Sequence, residues 1–272
     1  MTRTRGWLTS AIMLVIAAAM AVPFYYILVN TFKSQDQTAR SPLALPSHAT
    51  LEHYAQVLAT TNVVGSFFNT LYVTVLSVVL MVLVGSMAAY GMILGKTKLT
   101  AAVGGALAVA FLVPGQGTLI PIYQMLVDVR LVDSLNGLVV IYSCGAIFCY
   151  YLILGYMHTV PAEVLEAARI DGAGAGRIFF AIVLPLIRPI LITVSVFQTM
   201  WVWNDFIIPN VFISSPAKQT LVLQAYSAVG QFTTDWPVFM TLTVILLVPV
   251  VVFFLFMQRY IVDGLTQGGV KG

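Results

Sequence analysis

The chain has 272 residues, of which 60% are hydrophobic and only 8% charged, with a formal net charge of +3. A soluble chain is about 25% charged, so a surface this poor in charge must face lipid, and the excess of basic residues reflects membrane topology rather than nucleic-acid binding. Cys144 and Cys149 lie in an apolar run and read as small buried hydrophobes, while His48, His53 and His158 form no metal-binding pattern.

A helix rising 1.5 Å per residue needs about 20 apolar residues to cross about 30 Å of hydrocarbon. The apolar runs lack the period-2 alternation of a barrel, so an all-α architecture of six transmembrane helices is expected. The first span covers 8–29, behind Arg3 and Arg5. Ala19 and Ala21 resemble a signal cleavage site, but the run continues to Val29, which predicts a retained span. The polar segment 30–65 follows. Within it Thr50 and Glu52 suit the start of a short interfacial helix with Leu51, Tyr54, Val57 and Leu58 on one face.

The second span is predicted over 66–94. At its end Gly91, Gly95, Lys96 and Thr97 imitate a phosphate loop, but only three residues separate the glycines and no strand precedes them. The pair is a weak GxxxG helix-contact motif instead. A third span over 101–124, a short connection around 128–136 and a fourth span over 138–156 complete the first half.

The loop 157–185 carries the most information. Pro161 suits a first helical turn, Glu163 favours a helix start, and Gly172 can adopt the positive φ that ends a helix. Val164, Leu165, Ala168 and Ile170 give the helix an apolar side. Ala167 and Ala168 permit close approach by another protein, and Glu166, Arg169 and Asp171 can orient that contact. The residues alone leave two readings: a docking helix for another subunit, or a helix resting on lipid headgroups.

A fifth span covers 186–209, a polar loop 210–236, a sixth span 237–257 and a tail 258–272. No ionisable residue sits at mid-depth, with Arg188 and Asp205 near the ends of span five, so the residues offer no obvious ion-coupling or proton-relay site. Tyr150 with Gln198, Trp201, Trp203, Asn204 and Asp205 suit an uncharged polyhydroxylated solute, or equally belong to interfacial belts and helix contacts. Placing both termini in the cytoplasm puts Arg3, Arg5, Lys96, Lys98, Arg169, Arg177, Arg188, Arg259 and Lys271 inside, against Lys33, Arg40, Arg130 and Lys218 outside. That bias predicts a loop 157–185 on the cytoplasmic side.

The spacing of Glu166-Ala167-Ala168, Gly172, Ile182 and Leu184-Pro185 resembles the EAA loop of ABC importer permease subunits of the binding-protein-dependent type. Thr31-Phe32-Lys33, Pro121 to Met125, Trp203-Asn204-Asp205 and the tail from Gln258 resemble the carbohydrate-uptake branch, in particular its MalG-type subunit. The resemblance implies the type I importer permease fold in a bacterial or archaeal cytoplasmic (inner) membrane. It implies that Pro161, Glu163, Glu166, Ala167, Ala168, Arg169, Asp171 and Gly172 form a coupling helix seated in an ATPase subunit. Arg259, Gly264, Gly269 and Lys271 would lie on a tail reaching toward the ATPases, and 210–236 would face a solute-binding protein.

The implied partners are a second permease, two ATPase subunits that bind ATP and Mg, an extracytoplasmic sugar-binding protein and the sugar. The chain itself would hold no cofactor or metal and perform no catalysis. An ABC permease for another small solute, and an ion-coupled carrier working alone, are the alternatives.

Overall fold

A computed structural model describes residues 2–95, 97–227 and 235–269. The described elements are all helical. They group into two compact units, one of 1–66 with 221–249 and one of 67–220 with 250–272.

The first unit begins with α1 (Thr2–Asn30), whose stretch Thr9–Asn30 is long and apolar enough to span a membrane. That stretch is almost wholly uncovered by the rest of the chain, as a lipid-facing helix requires. The chain then folds into a polar knot around α2 (Gln35–Arg40) and α3 (Glu52–Thr60). Lys33, counted from sequence among outer surface charges, is 0% exposed. Its ammonium donates to the carbonyls of Ser41 and Pro42 at 2.9 and 3.1 Å, and burial lowers its pKa. His53 contacts the Lys33 carbonyl at 2.9 Å, and the Tyr54 hydroxyl donates to Thr31 at 3.1 Å.

The expected cap is displaced by one residue: Leu51 occupies the cap position of α3 without a side-chain bond, and the Thr50 hydroxyl accepts the Glu52 amide at 3.1 Å from one residue before it. Of the apolar face expected on α3, however, only Tyr54 and Val57 are covered, while Leu51 and Leu58 are exposed. The knot consumes one turn of the helix, too little to cover the whole stripe.

In the second unit, α4 (Val63–Leu94) enters at Phe67 and is longer at its start than the predicted second span. Thr97 and Thr100 form a reciprocal capping box on α5 (Lys98–Leu112). The predicted third span, 101–124, is not one helix. The chain bends by 95° between α5 and the segment ending in α6 (Leu119–Asp128). Val113 precedes Pro114, and a residue before proline is driven out of the helical region; Val113 sits at φ −74°, ψ 121°.

Helices α7 (Leu135–Ser143) and α8 (Ala146–Met157) make one span with a turn at Cys144 and Gly145. A Cβ on Gly85 of α4 would lie 2.7 Å from Cys149 Cβ and 2.9 Å from the Ala146 carbonyl, so only glycine lets these helices touch. Cys149 is buried as expected, but Cys144 is exposed, because the turn rotates it out of the covered face.

Beyond α9 (Ala162–Ile170) come α10 (Ala175–Ile178), a π-helical turn (Phe179–Val183) and α11 (Leu184–Leu186). The chain then bends by 77° into α12 (Arg188–Asn204). Pro189 lacks an N–H and its ring crowds the carbonyl four residues back, which favours a break at Ile187, although Pro23 and Pro249 lie inside continuous helices. At the other end the predicted fifth span, 186–209, stops early at Asn204, where Asp205 turns extended, and a separate α13 (Ile207–Phe212) follows. After α14 (Leu221–Ser227), α15 (Trp236–Gly269) runs on past the predicted end of span six. Four helices are long and apolar enough to span, and the two bent pairs raise the number to six if each is one span.

Candidate functional site

Pro161, with φ −59° and ψ 129°, is the cap residue just outside α9 rather than part of its first turn, which carries Glu163; Arg169 lies in the last turn. Its end is a Schellman motif. Gly172 N–H donates to the Arg169 carbonyl and Ala173 N–H to the Ala168 carbonyl, both at 3.0 Å, with Gly172 at φ 79°. A Cβ at Gly172 would meet nothing within 4 Å, so backbone conformation rather than space requires the glycine.

Leu165 and Ala168 are buried against this chain, while Pro161, Glu163, Glu166, Ala167, Arg169, Asp171 and Gly172 are exposed. Two expectations change. Val164 and Ile170 do not join the buried side, Ile170 being 86% exposed, and Ala168 faces inward, leaving Ala167 as the accessible small residue. None of Glu163, Glu166, Arg169 and Asp171 forms an ion pair among the described residues, where Lys218 with Asp133 is the only one.

Tyr90 of α4 anchors the segment beyond Gly172. Its hydroxyl donates to the Ala175 carbonyl at 3.3 Å and its ring lies 5.4 Å from Phe179. Sequence reading missed Tyr90 because nothing local distinguishes it from other apolar-span tyrosines. A half-open hollow of about 690 Å³ lies behind α9, lined by Met92, Leu94, Met157, His158, Glu166 and Arg169 among others. The helix is thus held by two inward side chains and its flanks rather than seated on a packed bed.

The six residues proposed to meet a solute separate. Gln198 and Trp201 line a cleft of about 380 Å³ with Gly145, Phe148 and Phe197. Tyr150 is buried, its ring 4.8 Å from Tyr151, and Trp203 is buried edge-on to Phe67 at 5.8 Å. Asn204 is exposed but donates to the Met200 carbonyl of its own helix at 2.7 Å. Asp205 is a lock: it accepts the Tyr142 hydroxyl at 2.8 Å and the Ile207 amide at 3.0 Å, closing α12 and starting α13.

A second lock joins the turn before α7 to the segment after α13. Asp133, at φ 52°, accepts the amides of Ser214 and Ser215 at 3.0 and 2.9 Å, the Ser215 hydroxyl, and Lys218 at 3.1 Å. The Ser215 hydroxyl and amide, with lesser help from Lys218 and the Ser214 amide, hold its carboxyl well below the usual carboxylate range. Its partners lie 81 to 85 residues away, so no sequence window could connect them. In the tail, Arg259, Gly264 and Gly269 fall within helical α15, and Lys271 lies outside the described residues.

The chain is 34% identical to a probable starch degradation products permease protein, AmyC, of Thermoanaerobacterium thermosulfurigenes, over 92% of this chain and 91% of the relative. It is 31% identical to the melibiose/raffinose/stachyose import permease protein MelC of Bacillus subtilis, over 95% of this chain and 94% of the relative. A chain of a bacterial ABC transporter that imports the acidic polysaccharide alginate shares the fold, with a TM-score of 0.85 at 22% identity over 95% of this chain and 96% of that one. Residues 125–267, which include α9, its glycine cap and both locks, match the family of binding-protein-dependent transport system inner membrane components. This chain belongs to that family of ABC importer permeases.

Proposed function

We propose that this chain is a permease subunit of an ATP-driven sugar importer, working with a second permease, two ATPase subunits and an extracytoplasmic sugar-binding protein. The observation that carries the reading is α9: a glycine-capped helix whose exposed charges have no ion-pair partner among the described residues, standing over a hollow. Such a helix presents a binding surface and has room to move. Seated in an ATPase subunit through Glu163, Glu166, Ala167, Arg169 and Asp171, it would convert ATPase closure into rocking of the helices around a solute path. The distribution of Lys and Arg supports α9 and both termini on the cytoplasmic side. ATP and Mg belong to the ATPase subunits, and this chain contributes no catalytic group. Residues 259–272 are assigned to the ATPase side and 210–236 to the binding protein.

Sugar as the solute rests on the two relatives named for starch degradation products and for melibiose, raffinose and stachyose. It is supported by a cleft whose lining has no ionisable side chain. In membranes carrying the whole assembly, Ala167→Cys should cross-link to an ATPase subunit, and sugar uptake should require ATP and the binding protein. Uptake that persists without the ATPase subunits would instead indicate an ion-coupled carrier.

A further inference from the structure

The cleft between α8 and α12 has the chemistry of a solute site. Its walls are Phe148, Phe197 and Trp201, its floor includes the turn at Gly145, and its volume is about 380 Å³, within the range of small-ligand pockets. Trp201 is 49% exposed, a large aromatic surface left open at a concave site. Its orientation is fixed from behind: the ring meets Tyr142 edge-on at 5.5 Å, and Tyr142 is in turn tied to Asp205. An indole held this way is a rigid platform.

One polar side chain enters the carbon lining. Gln198 is 5% exposed, and its Nε2 donates to the Gly145 carbonyl at 3.2 Å and contacts Cys149 Sγ at 3.6 Å. Its amide oxygen takes part in neither contact. A buried amide beside three aromatic walls distinguishes this cleft from lipid-facing surface, where a polar group is costly.

The geometry points to Trp201 as the platform on which the C–H-bearing face of an uncharged sugar ring stacks during passage, with Gln198 accepting a ring hydroxyl and Phe148 and Phe197 as side walls. This rests on the sugar-importer reading. Tyr142 and Asp205 are positioning residues, since they reach the solute only through the indole.

The test uses the complete assembly in proteoliposomes, with a panel of tritiated mono- to tetrasaccharides and the sugar that wild type imports taken forward. Trp201→Ala should raise the KM for uptake about tenfold or more, and Trp201→Phe should recover most of the loss, as expected when a ring face is what matters. In a Cys144→Ser background, Phe148→Cys at the cleft wall should react with a small thiol reagent, and the transported sugar should slow that reaction.

An unchanged KM in Trp201→Ala, or no protection at Phe148→Cys, overturns the platform. Loss of the second permease on co-purification of Trp201→Ala also overturns it, by making the cleft a subunit contact. Wild type that imports no sugar of the panel overturns the sugar reading itself, a result separate from all of these.

Discussion

Two connections at opposite ends of the span Leu135–Met157 use charge in opposite ways. Before the span, Asp133 is surrounded by donors from its own chain and closes Ser214, Ser215 and Lys218 onto itself. After it, Glu163, Glu166, Arg169 and Asp171 are exposed without an ion pair among the described residues, Glu166 and Arg169 also lining the hollow behind α9. Inward charge ties two distant segments of one chain together; the exposed charge on the short helix makes no such tie. One end of the span is therefore fastened within its own chain, and the other, on the proposed function, is the end a partner would grip.

The strongest way to break this contrast is at the glycine cap. At φ 79°, Gly172→Val forces a β-branched residue into the left-handed region, at a cost of at least about 1–2 kcal/mol. It should reduce sugar uptake by about tenfold or more while ATP hydrolysis continues, and Gly172→Asn should retain more uptake than the valine. Normal transport by Gly172→Val in proteoliposomes would remove the helix end from the coupling path.

At the opposite end the loss should appear as instability. Asp133→Ala removes several charge-assisted hydrogen bonds and should cost about 2 kcal/mol or more, read as a lowered Tm in detergent. Because the folded carboxyl has a depressed pKa, its contribution is complete above the ordinary carboxylate range and is lost as pH falls through the lower folded value. Wild-type stability from this lock should be flat between pH 7 and 5 and decline only below about pH 4. The alanine variant should lack that part of the acid limb; identical acid profiles would show that the lock contributes nothing.

The smallest expected effect sharpens the comparison. Glu166→Gln should change stability by no more than an exposed substitution does, about 0.5 kcal/mol, and so shift Tm little, yet weaken co-purification of the ATPase subunits. A large drop in Tm would mean that this carboxylate supports its own chain.

Helix α9 was legible in the sequence to within a residue because its signals are local: a proline to begin it, a glycine to end it, and charges between. The family resemblance rested on part of this helix together with Ile182, Leu184 and Pro185 and with segments elsewhere in the chain. The spans were legible as apolar composition but not as direction, since hydropathy records how much lipid a segment tolerates and not where it turns. Pro114 and Pro189 were the visible warnings. The solute-path residues divided by helix face: Gln198 and Trp201 are three apart and share the cleft, while Tyr150 and Trp203 point into packing that depends on distant residues such as Phe67. Asp133 carried no local sign beyond a turn.

The bend at Val113 has a consequence for how this protein exists in a cell. Residues 111–117 are exposed in the isolated chain, and near the break the backbone leaves regular helix. Acyl chains offer nothing to carbonyls and amides that a helix no longer satisfies, so if the bend lies within the hydrocarbon layer it requires water or a protein neighbour. A solitary copy would expose this breach to the bilayer. Newly inserted chains without companions should be short-lived, which would let cellular quality control keep the copy numbers of the subunits matched.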